Sequence, residues 1–122
     1  MTSNPRPSAE AGDGRVLTAS IYLRESDLWH HVPVYTEIVR RARKSGVAGA
    51  TVLRGIAGFG QSGEIHRVSG FRMTGGLPVV VVLVEEERKL TEFLGQLGEL
   101  NISGLIVLEE TRTMSFPQGP RR

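Results

Sequence analysis

The stretch Gly46–Gly63, G-V-A-G-A-T-V-L-R-G-I-A-G-F-G-Q-S-G, decides how the chain around it is read. Ala50–Ile56 is a β-type run set between two glycine clusters. Glycine serves where backbone turns sharply or where another group comes close to it. The expectation is a strand with a glycine-built site at each end. Successive N–H groups in such turns can form an anion-binding nest. From local sequence the glycines carry two readings, a ligand site or a bulge with tight turns. G-I-A-G-F-G is followed by no helix and does not match the dinucleotide fingerprint, and the chain has no P-loop.

Upstream, Pro33–Ser45 reads as a helix. Tyr35, Ile38, Val39 and Ala42 form one apolar stripe. Pro33 suits the first turn, and Gly46 suits a left-handed cap. Arg40, Arg41, Arg43 and Lys44 crowd the end of the helix, where its dipole favours cations. Before it, Val16–Leu23 alternates with a period of two: Leu17, Ala19, Ile21 and Leu23 on one face, Val16, Thr18, Ser20 and Tyr22 on the other. The connection Arg24–Val32 holds Trp29, the sole tryptophan, and His30 and His31. Adjacent histidines point apart and no third ligand is suitably spaced, so no metal is expected there. Trp29 reads as a packing anchor.

Downstream, Ala57–Gly76 lacks periodicity and is long for a connection, and long loops are often functional. Glu64–Ser69 within it suits a short β-extension. Leu77–Val84 is an unbroken apolar run and reads as a third, central strand. Glu85–Glu87 opens a second helix with the stripe Leu90, Phe93, Leu94 and Leu97. Asn101–Gly104 is a turn, and Leu105–Met114 is a last strand with a polar end. Residues 1–15 and 115–122 are expected to be tails without structure, leaving one domain over 16–114.

The chain of 122 residues has no cysteine, which excludes disulfides and thiolate chemistry. Its longest apolar run is too short to span a bilayer, and Met1–Glu10 lacks a signal-peptide core, so a cytoplasmic location is expected. The net charge of +2 is that of Arg121 and Arg122, since the body over 16–114 is neutral. A generic nucleic-acid binder is therefore not expected.

The element order β-α-β-β-α-β predicts an α+β, ferredoxin-like sandwich: an antiparallel four-stranded sheet with two helices on one face. The second sheet face still carries apolar side chains, which implies an oligomer that covers it.

The residues now carry a resemblance. G-V-A-G-A-T-V followed by G-F-G-Q, on helix end, second strand and loop, resembles the PII signalling proteins. A-T-V-L-R-G-I-A-G-F-G, then E-I-H, then L-P-V-V-V-V-L-V-E are still more similar to the uncharacterised PII-like relatives. The resemblance implies a non-enzymatic regulatory protein, a homotrimer that binds an adenine nucleotide (AMP, ADP or ATP) in clefts between subunits. It implies Gly49 and Thr51 near the base, Gly58, Phe59, Gly60 and Gln61 near the phosphates, and Arg112 reaching in from the neighbouring subunit. A short N-I-S-G turn stands where PII proteins carry a phosphate-gripping loop, so Arg54, His66, Arg67 and Arg72 are candidates for the missing cations. The 58–76 loop would contact a target protein. Relatives are often encoded beside fluoride-export channels, which makes a membrane transporter a candidate target. Two other classes stay open beside it: a small hydrolase using His66 with Glu64, and a metal- or RNA-binding ferredoxin-like module.

Overall fold

The computed structural model describes residues 14–59, 65–67 and 76–117. Four strands form the main sheet: β1 (Val16–Arg24), β4 (Gly49–Arg54), β7 (Pro78–Glu86) and β8 (Ile106–Thr111). Between them lie β2 (Leu28–Trp29), β3 (Val32–Pro33), α1 (Val34–Ser45), β5 (Ala57–Phe59), β6 (Ile65–Arg67) and α2 (Glu87–Gln96), which ends in a 3-10 turn, Leu97–Leu100. The sheet order is β4-β7-β1-β8, and each neighbouring pair is antiparallel. This is the expected α+β sandwich, with β7 and β1 central and β4 and β8 at the edges.

The period of two in β1 assigns the faces. Ala19 and Ile21 are fully buried, with Leu17 and Leu23 close behind. Across β7, Val79, Val81 and Leu83 lie opposite Leu23, Ile21 and Ala19 and share that face. Ile38 and Ala42 of α1 and Leu90, Phe93, Leu97 and Leu100 after β7 close the layer above them. Burial of such side chains is the main stabilising contribution, about 1.5–3 kcal/mol for each large one.

Helix ends follow local chemistry. Gly46 caps α1 at φ 77°, and its N–H donates to the Arg43 carbonyl at 3.1 Å. The Lys89 ammonium donates to the Gly46 carbonyl at 3.0 Å, tying the two helices at this cap. Glu86 caps α2, its carboxylate accepting from the Lys89 N–H at 3.4 Å. At the start of β1, Arg15 donates to Glu110 of β8 at 2.6 Å and to Glu87 of α2 at 3.2 Å. The Glu87 hydrogen bond and then the Glu110 charge raise the Arg15 pKa.

Four local expectations are revised. Glu85 and Glu86 belong to β7 and pair with Leu17 and Val16, so α2 starts only at Glu87. The last strand stops at Thr111. Ala57–Phe59 is a strand, pairing with Ile65–Arg67 as a hairpin. The connection after β1 is a hairpin too: Leu28 pairs with Pro33 and Trp29 with Val32. His30 and His31 form its two-residue turn at φ 50° and 69°. Both residues of a type I′ turn need positive φ, which histidine tolerates better than most side chains.

Candidate functional site

The uncovered face of the sheet is laid out by register. Thr51 lies opposite Val82, Leu53 opposite Val80 and Gly49 opposite Val84. Ser20 and Tyr22 of β1 continue those rows, and Val107 of β8 extends the Ser20 row. Tyr22 and Leu53 are about half exposed. Nearer the other end of the same face the rows turn polar, where the Thr18 and Thr111 hydroxyls are hydrogen-bonded at 2.6 Å. Glu109, the register partner of Thr18, adds a carboxylate at that end, while the exposed apolar rows at the other have the character of an interaction surface.

The sequence-predicted site residues fall into three places. Gly49 and Thr51 lie on β4, on the uncovered face and along a sheet edge, with Thr51 exposed. Arg54 ends the same strand with its side chain on the helix-bearing face, opposite Val79. Gly49 and Arg54 are five residues apart on an extended strand, about 17 Å.

The second place surrounds Pro78. Gly58 packs so closely there that a Cβ would stand 3.3 Å from Pro78 Cγ. His66 is the register partner of Gly58. Phe59 is 73% exposed. Arg54 also belongs here, because Gly55 donates to the Pro78 carbonyl at 2.7 Å. Gly60, Gln61, Glu64 and Arg72 lie outside the described residues.

Arg112 stands alone in the third place. It is exposed, one residue beyond β8. β1 and β7 separate β8 from β4, a span of roughly 14 Å at ordinary strand spacing. Within one chain Arg112 and Thr51 therefore do not share a site.

Three features escaped the sequence reading. The first is Glu25, which forms an ion pair with Arg54. The second is Glu37, a buried carboxylate that accepts from Arg40 Nε at 3.0 Å and from Arg41 Nε at 2.6 Å. Hydrogen bonds from Arg40 first and Arg41 second hold its pKa down to about 2. Its spacing to both arginines was the available signal. The third is the use made of Arg41. It reaches Glu99 at 2.7 Å and lies 4.9 Å over the Trp29 ring, which in turn meets the His30 ring at a 48° tilt with centroids 4.2 Å apart. Trp29 is thus an anchor, and two of the four helix cations are committed to structure.

Among the described residues no three His, Cys, Asp or Glu side chains are grouped to hold a metal. No helix among them is long and apolar enough to cross a membrane. The outer edge of β4 has backbone donors and acceptors unused by the sheet, the Thr51 hydroxyl is exposed, and Arg54 is a solvent-facing guanidinium.

Comparison with known proteins agrees with this architecture. Residues 16–113 match the family DUF190, described as "Uncharacterized ACR, COG1993". A UPF0166 protein of Aquifex aeolicus is 38% identical over 95 residues, covering 77% of this chain and 89% of that one. A UPF0166 protein of Methanocaldococcus jannaschii is 34% identical over 91 residues, covering 74% and 83%. Among solved structures, CPII of Thiomonas intermedia K12, a nitrogen regulatory PII-like protein bound to ADP, AMP and bicarbonate, superposes with a TM-score of 0.57 at 14% identity. That superposition covers 80% of this chain and 87% of CPII. A second CPII structure, bound to ADP and bicarbonate, gives 0.59 at 12% identity over 80% of this chain and 87% of that one. The chain therefore belongs to the DUF190 (UPF0166) family and has the PII-like fold.

Proposed function

We propose that this protein is a regulatory module, a homotrimer that binds an adenine nucleotide between subunits and signals its occupancy to a target protein through the 58–76 segment. The observation that carries the reading is the placement of the site residues on opposite edges of one sheet. Gly49 and Thr51 lie on β4 and Arg112 follows β8, both toward the same end of the strands. They meet only if the β8 edge of one copy comes against the β4 edge of the next. A head-to-tail contact of that kind closes into a ring when its rotation allows. The apolar rows of the uncovered face supply surface for burial at its centre. The fold shared with CPII, which is described with ADP and AMP bound, supports the choice of ligand.

In this reading the base lies against β4 near Gly49 and Thr51, and the phosphates run toward Arg54 and Gly58. A membrane transporter is the target class proposed. Ligand alters a target only through different affinities for two states of the protein. The protein acts by binding, with no reaction of its own, inside the cytoplasm. Calorimetric titration with AMP, ADP, ATP and cyclic nucleotides tests it, alongside a light-scattering mass. Binding of an adenine nucleotide by a species of three chains is the expected result. No heat at millimolar ligand, or a monomer at binding concentrations, sinks the reading. Nucleotide turnover by the purified protein would point instead to a hydrolase.

A further inference from the structure

Arg54 ends β4 and Glu25 follows β1, two strands that do not pair with each other. β7 lies between them, and Val79 is the register partner of both Arg54 on β4 and Leu23 on β1. The Arg54–Glu25 ion pair therefore reaches across the start of β7. Backbone bonds fix the ground beneath it: Gly55 donates to the Pro78 carbonyl and Glu25 to the Leu77 carbonyl, both at 2.7 Å. Gly76 is pressed against the same connection, where a Cβ would stand 2.9 Å from the Ser26 nitrogen.

The two partners are placed differently. The Arg54 side chain is 61% exposed and that of Glu25 is 24% exposed. The carboxylate is largely shielded, and the guanidinium presents itself to solvent. An ion pair so exposed is weak and readily exchanged. A guanidinium fork matches phosphate as well as carboxylate, and a phosphate brings more charge. Arg40 and Arg41 offer no such exchange, since both are bound to the buried Glu37.

We propose that Glu25 is an internal competitor for phosphate at Arg54, and that it limits how many phosphates the bound nucleotide retains. The inference rests on the nucleotide-binding reading above. A phosphate that takes Arg54 has to displace the carboxylate and then lies beside its freed negative charge. AMP, anchored near Thr51, meets little of this. ATP extends farther toward Arg54 and gains the guanidinium only against the repulsion of Glu25. Glu25→Gln keeps the shape and removes both the competition and the repulsion.

The test is calorimetric titration of ATP and AMP into the full chain, Glu25→Gln, Arg54→Gln and Arg54→Lys at one ionic strength. The expected result is ATP binding about tenfold tighter in Glu25→Gln, the size of one charge-assisted hydrogen bond, with AMP binding unchanged. Arg54→Gln should weaken ATP about tenfold. Arg54→Lys, which keeps the charge and loses the fork, should fall between Arg54→Gln and wild type and serves as the arm least exposed to folding defects. Wild type that binds ATP while Glu25→Gln binds it no tighter overturns this inference alone. ATP binding unchanged in Arg54→Lys and Arg54→Gln does the same. Wild type that binds neither nucleotide overturns the functional reading, and this inference with it.

Discussion

Replacing Glu37 by Gln removes one charge from the middle of α1 while keeping the volume of the side chain. The residue is 4% exposed and lies at the junction of Arg40 and Arg41. Those hydrogen bonds lower its pKa from the ordinary 4.5 to about 2, against the opposing effect of burial. Its folded pKa is thus below its unfolded one. The stabilisation is fully present above pH 4.5 and is lost as the pH falls toward 2. A depression of that size is equivalent to about 3 kcal/mol at most. Arg40 is 60% exposed, so solvent screens its share, and about 2 kcal/mol is the expected net value. Urea unfolding followed through Trp29, the sole tryptophan and a neighbour of Arg41, measures it. Glu37→Gln should be less stable than wild type by about 2 kcal/mol at pH 7, and by less than half of that at pH 3. The remaining carboxylates titrate in both proteins and cancel in the difference. A gap missing at pH 7, or one that persists undiminished at pH 3, refutes the reasoning.

Three further expectations concern the fold. Leu90 is fully buried on the inner face of α2, so Leu90→Ala should cost about 2–5 kcal/mol in the same unfolding experiment. Gly95 lies within α2 with nothing within 4 Å of an added Cβ, and Gly95→Ala should raise stability by about 0.5–1 kcal/mol. At Gly104 an added Cβ would stand 1.7 Å from the Tyr22 carbonyl oxygen, so Gly104→Ala has to push β8 from β1. That change should lower the melting temperature far more than Gly95→Ala raises it, with early hydrogen exchange at the Tyr22 amide, which donates to the Leu105 carbonyl at 2.9 Å.

The large elements were legible because each repeats one simple spacing. Alternation in β1 separated Ala19 and Ile21 from Thr18 and Ser20, and the 3.6-residue stripe brought Ile38 and Ala42 to the core. Gly46 ended α1 where its left-handed φ was needed. What was not legible depended on partners far along the chain. Glu85 and Glu86 look like a helix start and become strand because Leu17 and Val16 pair with them. Ala57–Phe59 is too short and too rich in glycine to show a period, and only its pairing with Ile65–Arg67 makes it a strand. The His30–His31 turn carries neither asparagine nor glycine, so its left-handed backbone left no mark in the sequence. The candidate site was read as one group of residues on motif resemblance. Strand alternation sets Thr51 and Arg54 on opposite faces, and strand order sends Arg112 to the far edge. Glu25 had no signal at all, since nothing local ties it to Arg54.

The sheet order also bears on how quickly the chain can reach this state. Ala19 pairs on one side with Leu83 and on the other with Leu108, and Thr51 pairs with Val82. None of the three ladders of the main sheet joins strands through a tight turn. Each has to close a long stretch of chain before its first hydrogen bond compensates the lost entropy. Helix α1 and the Leu28–Pro33 hairpin can form within their own neighbourhoods, but the central strand waits for both distant partners. Refolding after dilution from urea should therefore be slow for a domain of this size, with its rate set by the docking of β1.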